Sequence, residues 1–329
     1  MSLLAPTLQA FFTDRLLGQR QASAHTVAAY RDTIRLLLAF AAEHRGKAPS
    51  DLDVDDLQAS LVGAFLDHLE HERGNTIRTR NARLAAIRSL FRYAALRHPE
   101  HAATIQRVLA IPTKRHDQAL VTFLTDPELQ ALLDAPDQAT WIGRRDHALI
   151  LLAAQTGLRA SELIGLTCGD LRLGTGAHVN CIGKGRKQRI TPLTTQTVTV
   201  MRAWTRERQG RPEDPLFATT TGRPLTRDAL ERRLAKHAAT AAAPCASLAA
   251  KTITPHVLRH TAAMRLLHAG IDTTVIALWL GHEQIQTTQI YLHADLAIKQ
   301  KALDRTTPPA AKPGRYQPTD RVLAFLDAL

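Results

Sequence analysis

The sequence predicts a mainly α-helical chain with one small β-hairpin or sheet, an α+β protein of two domains. Helix-period apolar series behind capping residues point to the helices, and one pair of β-prone runs around a glycine-bearing turn points to the hairpin. The third observation is length: 329 residues exceed the roughly 250–300 at which a single hydrophobic core stops growing, so the chain should divide.

In SAHTVAAYRDTIRLLLAFAAEH (23–44), Val27, Tyr30, Ile34, Leu37, Leu38 and Ala41 recur at three- and four-residue steps behind a Ser23 cap, as in an amphipathic helix. Leu61, Phe65, Leu66 and Leu69 form a second series that stops at Gly74, and Leu84, Ile87, Leu90, Phe91 and Ala94 form a third. Residues 1–110 therefore read as a helical bundle, and the Pro- and Lys/Arg-bearing stretch 111–122 as a linker. A second domain, 123–305, opens on the capping box Thr125-x-x-Glu128, with Pro127 in the first turn of a helix holding Leu129, Leu132 and Leu133. The apolar DHALILLAAQTG ends at Gly157, and Arg159 follows in TGLRASEL. AHVNCIGKGRKQRITPL places Val179, Cys181 and Ile182 in one β-prone run and Ile190 and Leu193 in another, so GKGRKQ becomes the basic tip of a hairpin.

The Ala-rich AKHAATAAAPCASLAA (235–250) reads as a surface helix and loop. Thr254 and Pro255 start the helix PHVLRHTAAMRLLHAG, which stops at Gly270, and a short helix runs from Asp272 to Gly281. In TTPPAAKPGRYQP (306–318) four prolines and a glycine exclude regular structure. Beyond it TDRVLAFLDAL (319–329) is an amphipathic helix too short to be stable alone in water, so it should dock on a surface of its own domain or of a neighbouring protomer.

Lys plus Arg outnumber Asp plus Glu by 42 to 30, and the isoelectric point of about 10.2 favours a polyanionic partner, either nucleic acid or an anionic membrane face. No window approaches 18 consecutive apolar residues and the N-terminus lacks the basic and apolar regions of a secretory signal, so no membrane association is expected and the cytoplasm is the expected compartment. Cys168, Cys181 and Cys245 are odd in number and form no CxxC pair, which argues against a disulfide framework or a zinc module.

Segment 75–97 carries Arg78, Arg80, Arg83, Arg88, Arg92 and Arg97 and no acid, whereas a salt-bridged helix surface would alternate signs. Its arginines are expected to contact phosphates, as are Arg186 and Lys187 at the hairpin tip. In PHVLRH, His256 and Arg259 project from one helix face, and His260 follows His256 by one turn. Two histidines at that spacing can chelate zinc, but the Glu of HExxH is missing and an arginine sits between them, so an anion is the better guest. GKG at 183–185 lacks the Ser or Thr and the upstream glycine of a phosphate loop. A phenol of pKa near 10 needs cationic surroundings or a base to act as a nucleophile, and Arg159, Lys184, His256, Arg259 and His282 offer both to Tyr291.

TGLRASEL, GKGRKQR, HVLRHTAA, LGH and TTQIYLHAD, in that order, resemble the motifs of the tyrosine recombinase, or phage integrase, family and its Xer-like branch. The resemblance covers nearly the whole chain. It implies a helical core-binding domain and a catalytic domain forming a clamp around double-stranded DNA. It makes Tyr291 the nucleophile of a 3′-phosphotyrosyl intermediate, Arg159 and Arg259 the phosphate holders, Lys184 the general acid, His256 an acid/base group at the nucleophile, and His282 a donor to phosphate or tyrosine. Glu162 would orient Arg159. No cofactor and no metal are implied. The implied partners are two recombination sites and other protomers, in a tetramer on synapsed DNA that can include a related recombinase, with the C-terminal helix donated to a neighbour. A type IB topoisomerase and a non-catalytic DNA-binding regulator are the alternatives.

Overall fold

The computed structural model describes residues 4–115, 121–183 and 188–281, together with Thr288 and Tyr291. The chain divides into two compact units, Met1–Gln118 and Ala119–Leu329. The basic hairpin tip with Lys184, Arg186 and Lys187, His282, and the segments 306–318 and 319–329 lie outside the described residues.

The first unit is all helical among its described residues. Helix α1 (Leu4–Ala10) runs into a π-wound stretch, Phe11–Gln19, and is followed by α2 (Ala24–Arg45), α3 (Ala59–His71), α4 (Ile77–Ala94) and α5 (Ala102–Ala110). The Ser23 hydroxyl accepts from Thr26 N and starts α2, and Gly46 at φ +63° closes it, a left-handed position that favours glycine. Thr76 caps α4 in the same way, accepting from Thr79 N. Phe65, Leu66 and Leu69 of α3 and Leu84, Ile87 and Phe91 of α4 are buried together with Leu37 of α2. Each such side chain stabilises the fold by roughly 1.5–3 kcal/mol. Helices α1 and α5 lie outside the three series read from the sequence, because each shows the core only a short apolar stripe: Leu4 in α1, and Ile105 and Val108 in α5.

The arginines of α4 do not form one solvent-facing row. Arg80 is 5% exposed and its Nε lies 3.7 Å from a carboxylate oxygen of Glu70, which α3 supplies. Arg83 donates to the Thr33 hydroxyl of α2 and Arg88 to the carbonyl of Ile111. Segment 75–97 contains no acid, but the neighbouring helices provide the acceptors that a one-segment count misses. Arg78 and Arg92 are exposed. Arg92 also lines a cavity of about 110 Å³ with Arg15, Arg20, Ser89, Tyr93 and Leu96.

The second unit contains α6 (Asp126–Asp134), α7 (Trp141–Thr156), α8 (Ala160–Ile164), strands β1 (Leu171–Arg172), β2 (His178–Ile182) and β3 (Gln188–Pro192), then α9 (Thr195–Arg208), α10 (Arg227–Ala241), α11 (Pro255–His268) and α12 (Thr273–Leu280). The strands form an antiparallel sheet in the order β1-β2-β3, with Asn180 opposite Ile190. The capping box forms as the sequence requires, with Thr125 N donating to Glu128. Burial pushes the Glu128 carboxyl up, but hydrogen bonds from Lys251, Ser247 and Thr125 N and the charge of Lys251 outweigh it and hold the group at about 2.

Helix α7 is the centre of this unit. It packs against α11 on one side and α9 on another, and Leu149, Ile150 and Leu152 are buried in the main core. Its second turn places Arg145 in that interior, 0% exposed. Arg145 donates Nε and Nη2 to Asp146 Oδ1 and Nη1 to the Ala218 carbonyl, so its charge and its hydrogen-bonding groups are satisfied. The other Asp146 oxygen accepts from Arg233 Nη1 at 3.0 Å and meets His237 Nε2 at 2.8 Å, which ties α10 to α7. The Ala-rich segment is a surface helix and loop with one buried side: α10 buries His237, Ala238 and Ala241, Leu248 beyond it is buried too, and most of the other side chains of 235–250 are exposed. Small side chains let α10 lie close against α6 and α8.

Candidate active site

The site is assembled at helix ends. Helix α7 stops at Gly157, whose φ is +65° and where an added Cβ would lie 2.6 Å from Leu280 Cδ2. The left-handed backbone favours glycine there, and any side chain would also push the Leu280 methyl aside. The turn leaves carbonyls at the end of α7 without partners in the helix. Trp279 Nε1 takes that of Thr156, and Arg259 Nη1 takes that of Gly157 at 2.6 Å. Arg259 Nη2 reaches the Leu280 carbonyl at the end of α12, 2.7 Å away. One guanidinium therefore joins two helix C-termini, where a cation is favoured by the helix dipoles.

Arg159 precedes α8, and Glu162 in the first turn of α8 accepts from both its backbone N and its Nη1. Arg159 Nη2 donates to the Gly281 carbonyl at 2.9 Å. Glu162 also receives both Nη groups of Arg189 from β3, at 3.0 and 2.7 Å. Burial raises the Glu162 carboxyl, but these donors and charges outweigh it and keep the group ionised below its ordinary range. Glu162 thus orients Arg159, and Arg189 is a member of the site to which the sequence analysis gave no role, although it closes the motif GKGRKQR. Its signal was its place in the β-prone run that becomes β3. Of the five N–H donors of an arginine, these contacts occupy two on Arg159 and two on Arg259, and the rest can serve an anion.

Thr254 caps α11 and Pro255 fills its first position, which sets Arg259 toward α7 and the next residue, His260, toward the small cluster around Met264, Leu267, Ile276 and Leu280. Tyr291 is in that cluster, 1% exposed. Its hydroxyl lies 3.1 Å from His260 Nδ1, with the two rings edge to face at 5.5 Å between centroids. Burial pushes the phenol above its ordinary pKa, while the charges of Arg259 and Arg159 pull it back. Burial, Arg159 and Arg189 lower the Arg259 guanidinium to about 10, against Tyr291 and Glu162.

The structure brings Arg159, Arg259 and Tyr291 into one electrostatic neighbourhood. His256 lies exposed one turn before His260, with ring centroids 6.5 Å apart. The ring set against the phenol is that of His260, which sequence reasoning considered only as half of a zinc pair. Among the described residues no group of three or more His, Cys, Asp or Glu side chains could hold a metal ion. The three cysteines are free, and no described helix is long and apolar enough to cross a membrane.

Comparison with known proteins identifies the family. Residues 122–297 match the phage integrase family and residues 10–98 the N-terminal SAM-like domain of phage integrases. An integrase/recombinase of Sinorhizobium fredii, y4rC, is 54% identical over 99% of this chain and 98% of its own length. The tyrosine recombinase XerD of Pseudomonas putida is 32% identical over 88% of this chain and 93% of its own. The fold resembles that of the XerH site-specific recombinase bound to palindromic difH substrate, with a TM-score of 0.69 at 22% identity, covering 87% of this chain and 81% of the other. It also resembles the Tn1549 transposon integrase in complex with transposon right end DNA, with a TM-score of 0.68 at 18% identity over 92% and 99% of the two chains. With a family match over more than half its length and relatives that are similar over nearly their whole lengths, the chain belongs to the phage integrase family and is a site-specific DNA recombinase of the tyrosine class.

Proposed function

We propose that this recombinase cuts and rejoins double-stranded DNA at two recombination sites through a 3′-phosphotyrosyl bond formed by Tyr291. The observation that supports this reading best is a buried tyrosine in the field of two arginines, each anchored to helix-end carbonyls with donors to spare. Tyr291 Oη attacks the scissile phosphorus, the bond to the 5′-oxygen breaks, and that oxygen leaves as a hydroxyl after taking a proton from Lys184. Arg159 and Arg259 hold the non-bridging oxygens and stabilise the charge of the pentacoordinate transition state. The resemblance gives His256, on the exposed side of α11, acid/base work near the nucleophile, and His282 a hydrogen bond to the phosphate or the tyrosine. The roles of Lys184 and His282 rest on the motif resemblance. A 5′-hydroxyl of the partner strand then attacks the phosphotyrosine and reverses the chemistry, so the ester's free energy is kept and no nucleotide cofactor is used. Residues 1–110 act as the core-binding domain and 123–305 as the catalytic domain, and the work is done in the cytoplasm.

A nicked suicide duplex carrying the cognate site, identified by selecting bound sequences from a random pool, tests the reading. A covalent protein–DNA adduct should accumulate in denaturing gels, and EDTA should leave its yield unchanged because arginines and Lys184 supply the charge. Loss of the adduct on chelation would show that a metal takes part.

Binding should weaken steeply with salt, since each neutralised phosphate releases counterions. Replacing the exposed Arg78 and Arg92 with alanine should reduce the log–log salt slope by roughly two, at about 0.9 per contact. Arg80→Ala, which removes a buried ion pair, should lower stability more than it changes the slope. A slope unchanged in the double variant would place the phosphate contacts elsewhere.

The active assembly is a tetramer on synapsed DNA, coupled by exchange of residues 319–329 between protomers. Deleting those residues should leave a folded monomer that fills one half-site, while cooperative filling of the full site and recombination are lost. Normal recombination by the truncated protein would remove the exchange from the scheme.

A further inference from the structure

We infer that His260 is a catalytic residue of this recombinase: its Nδ1 accepts the hydrogen bond that aims the Tyr291 hydroxyl and takes the proton when Oη attacks phosphorus. The inference rests on Tyr291 being the nucleophile and adds to it the destination of the nucleophile's proton.

The geometry favours His260 over His256. His260 Nδ1 lies 3.1 Å from Oη, within reach of direct transfer, and the edge-to-face ring contact fixes the approach. Both rings are held, the histidine half-buried on α11 and the tyrosine in the apolar cluster of Met264, Leu267, Ile276 and Leu280. With the ring proton on Nε2, Nδ1 presents a lone pair to the phenol. As Oη bonds to phosphorus, the O–H electrons become the lone pair of the ester oxygen and the proton passes to Nδ1. When a 5′-hydroxyl later attacks the phosphotyrosine, the same proton returns to the departing phenolate, so each cycle ends with His260 neutral.

The electrostatics make this step depend on substrate. Burial, with the charges of His256 and Arg259, lowers His260 to about 4, and burial raises the phenol. In the free protein the proton therefore stays on Tyr291, and the nucleophile is aimed but silent. A phosphodiester held by Arg159 and Arg259 brings a negative charge against the same groups that depress His260. Its arrival makes the histidine more basic and the phenol more reactive at the moment a target is present.

Single-turnover cleavage of the suicide duplex at saturating protein, followed from pH 6 to 10, tests this in wild type, His260→Ala and His260→Asn. Asparagine keeps an acceptor near the Nδ1 position but cannot take the proton. Both variants should bind the site as wild type does and cleave about a hundredfold or more slowly, on the scale of a lost general base. Their rates should climb with pH where the wild-type rate has levelled off, and added imidazole should partly restore His260→Ala. Wild-type speed in His260→Asn would reduce the residue to an orienting role and overturn the inference, as would unimpaired His260→Ala or a loss that neither pH nor imidazole relieves. A readout without substitution at 260 is the ring titration of His260 by NMR in Tyr291→Phe protein, free and bound to intact duplex. The histidine's pKa should rise on binding, and an unchanged value would also overturn the inference. An adduct formed by wild type but not by Tyr291→Phe keeps the underlying reading intact whatever His260 does.

Discussion

Tyr291→Phe is expected to abolish strand cleavage and leave affinity for the site within about twofold. The substitution keeps the ring and its packing and removes only the oxygen proposed to attack phosphorus. Removing a covalent nucleophile costs on the order of a millionfold in rate, which on a suicide substrate means no detectable adduct. Because the hydroxyl lies 3.1 Å from His260 Nδ1, its loss should cost about 1 kcal/mol of stability, the net worth of a typical hydrogen bond. A folded variant with a lower melting temperature by a few degrees fits that figure. Any phosphotyrosine-sized adduct from this protein would move the nucleophile to another residue.

Arg259→Lys should also slow cleavage severely, though far less than loss of the nucleophile, while keeping the charge. The guanidinium spans the Gly157 and Leu280 carbonyls with two nitrogens and keeps further N–H donors for the proposed phosphate. An ammonium is a single point with a different reach and cannot satisfy both carbonyls and a phosphate together. The loss of one oriented donor in the transition state costs about a hundred- to a thousandfold, roughly 2.7–4 kcal/mol. One helix-end carbonyl left buried without a donor should destabilise the second unit by about 1–3 kcal/mol. Cleavage rate and denaturant midpoint should therefore fall together. Retention of either would mean that Arg259 has only one of the two roles.

Much of this was legible in the sequence because it is local. Ser23, Thr76, Thr125 and Thr254 start helices where cap chemistry requires, and Gly46, Gly157 and Gly281 end them. The five motifs located the second unit and named Tyr291 as the candidate nucleophile. What the sequence hid was long-range. Glu70 neutralises Arg80 from another helix, and Thr33 and Ile111 accept from Arg83 and Arg88, so counting charge along one segment overstated the phosphate-facing row. Arg145 looks like a surface residue in GRRDH until Asp146 and the Ala218 carbonyl, 73 positions away, are seen to enclose it. His260 followed the same rule: its spacing from His256 suggested a metal, whereas its partner, Tyr291, is 31 positions on.

The carbonyls that hold Arg159 and Arg259 also change when entropy is lost. A free arginine side chain carries about 2 kcal/mol of rotamer entropy, which a flexible guanidinium would surrender as it closed on DNA. Here the Gly281, Gly157 and Leu280 carbonyls immobilise both side chains as the protein folds. The ordering is set against folding stability once, and each later encounter with a phosphodiester begins from a rigid cradle. Loosening the turn at Gly281 would return that disorder to the binding step, so recombination should depend on the temperature at which this turn softens well below the temperature at which the whole unit melts.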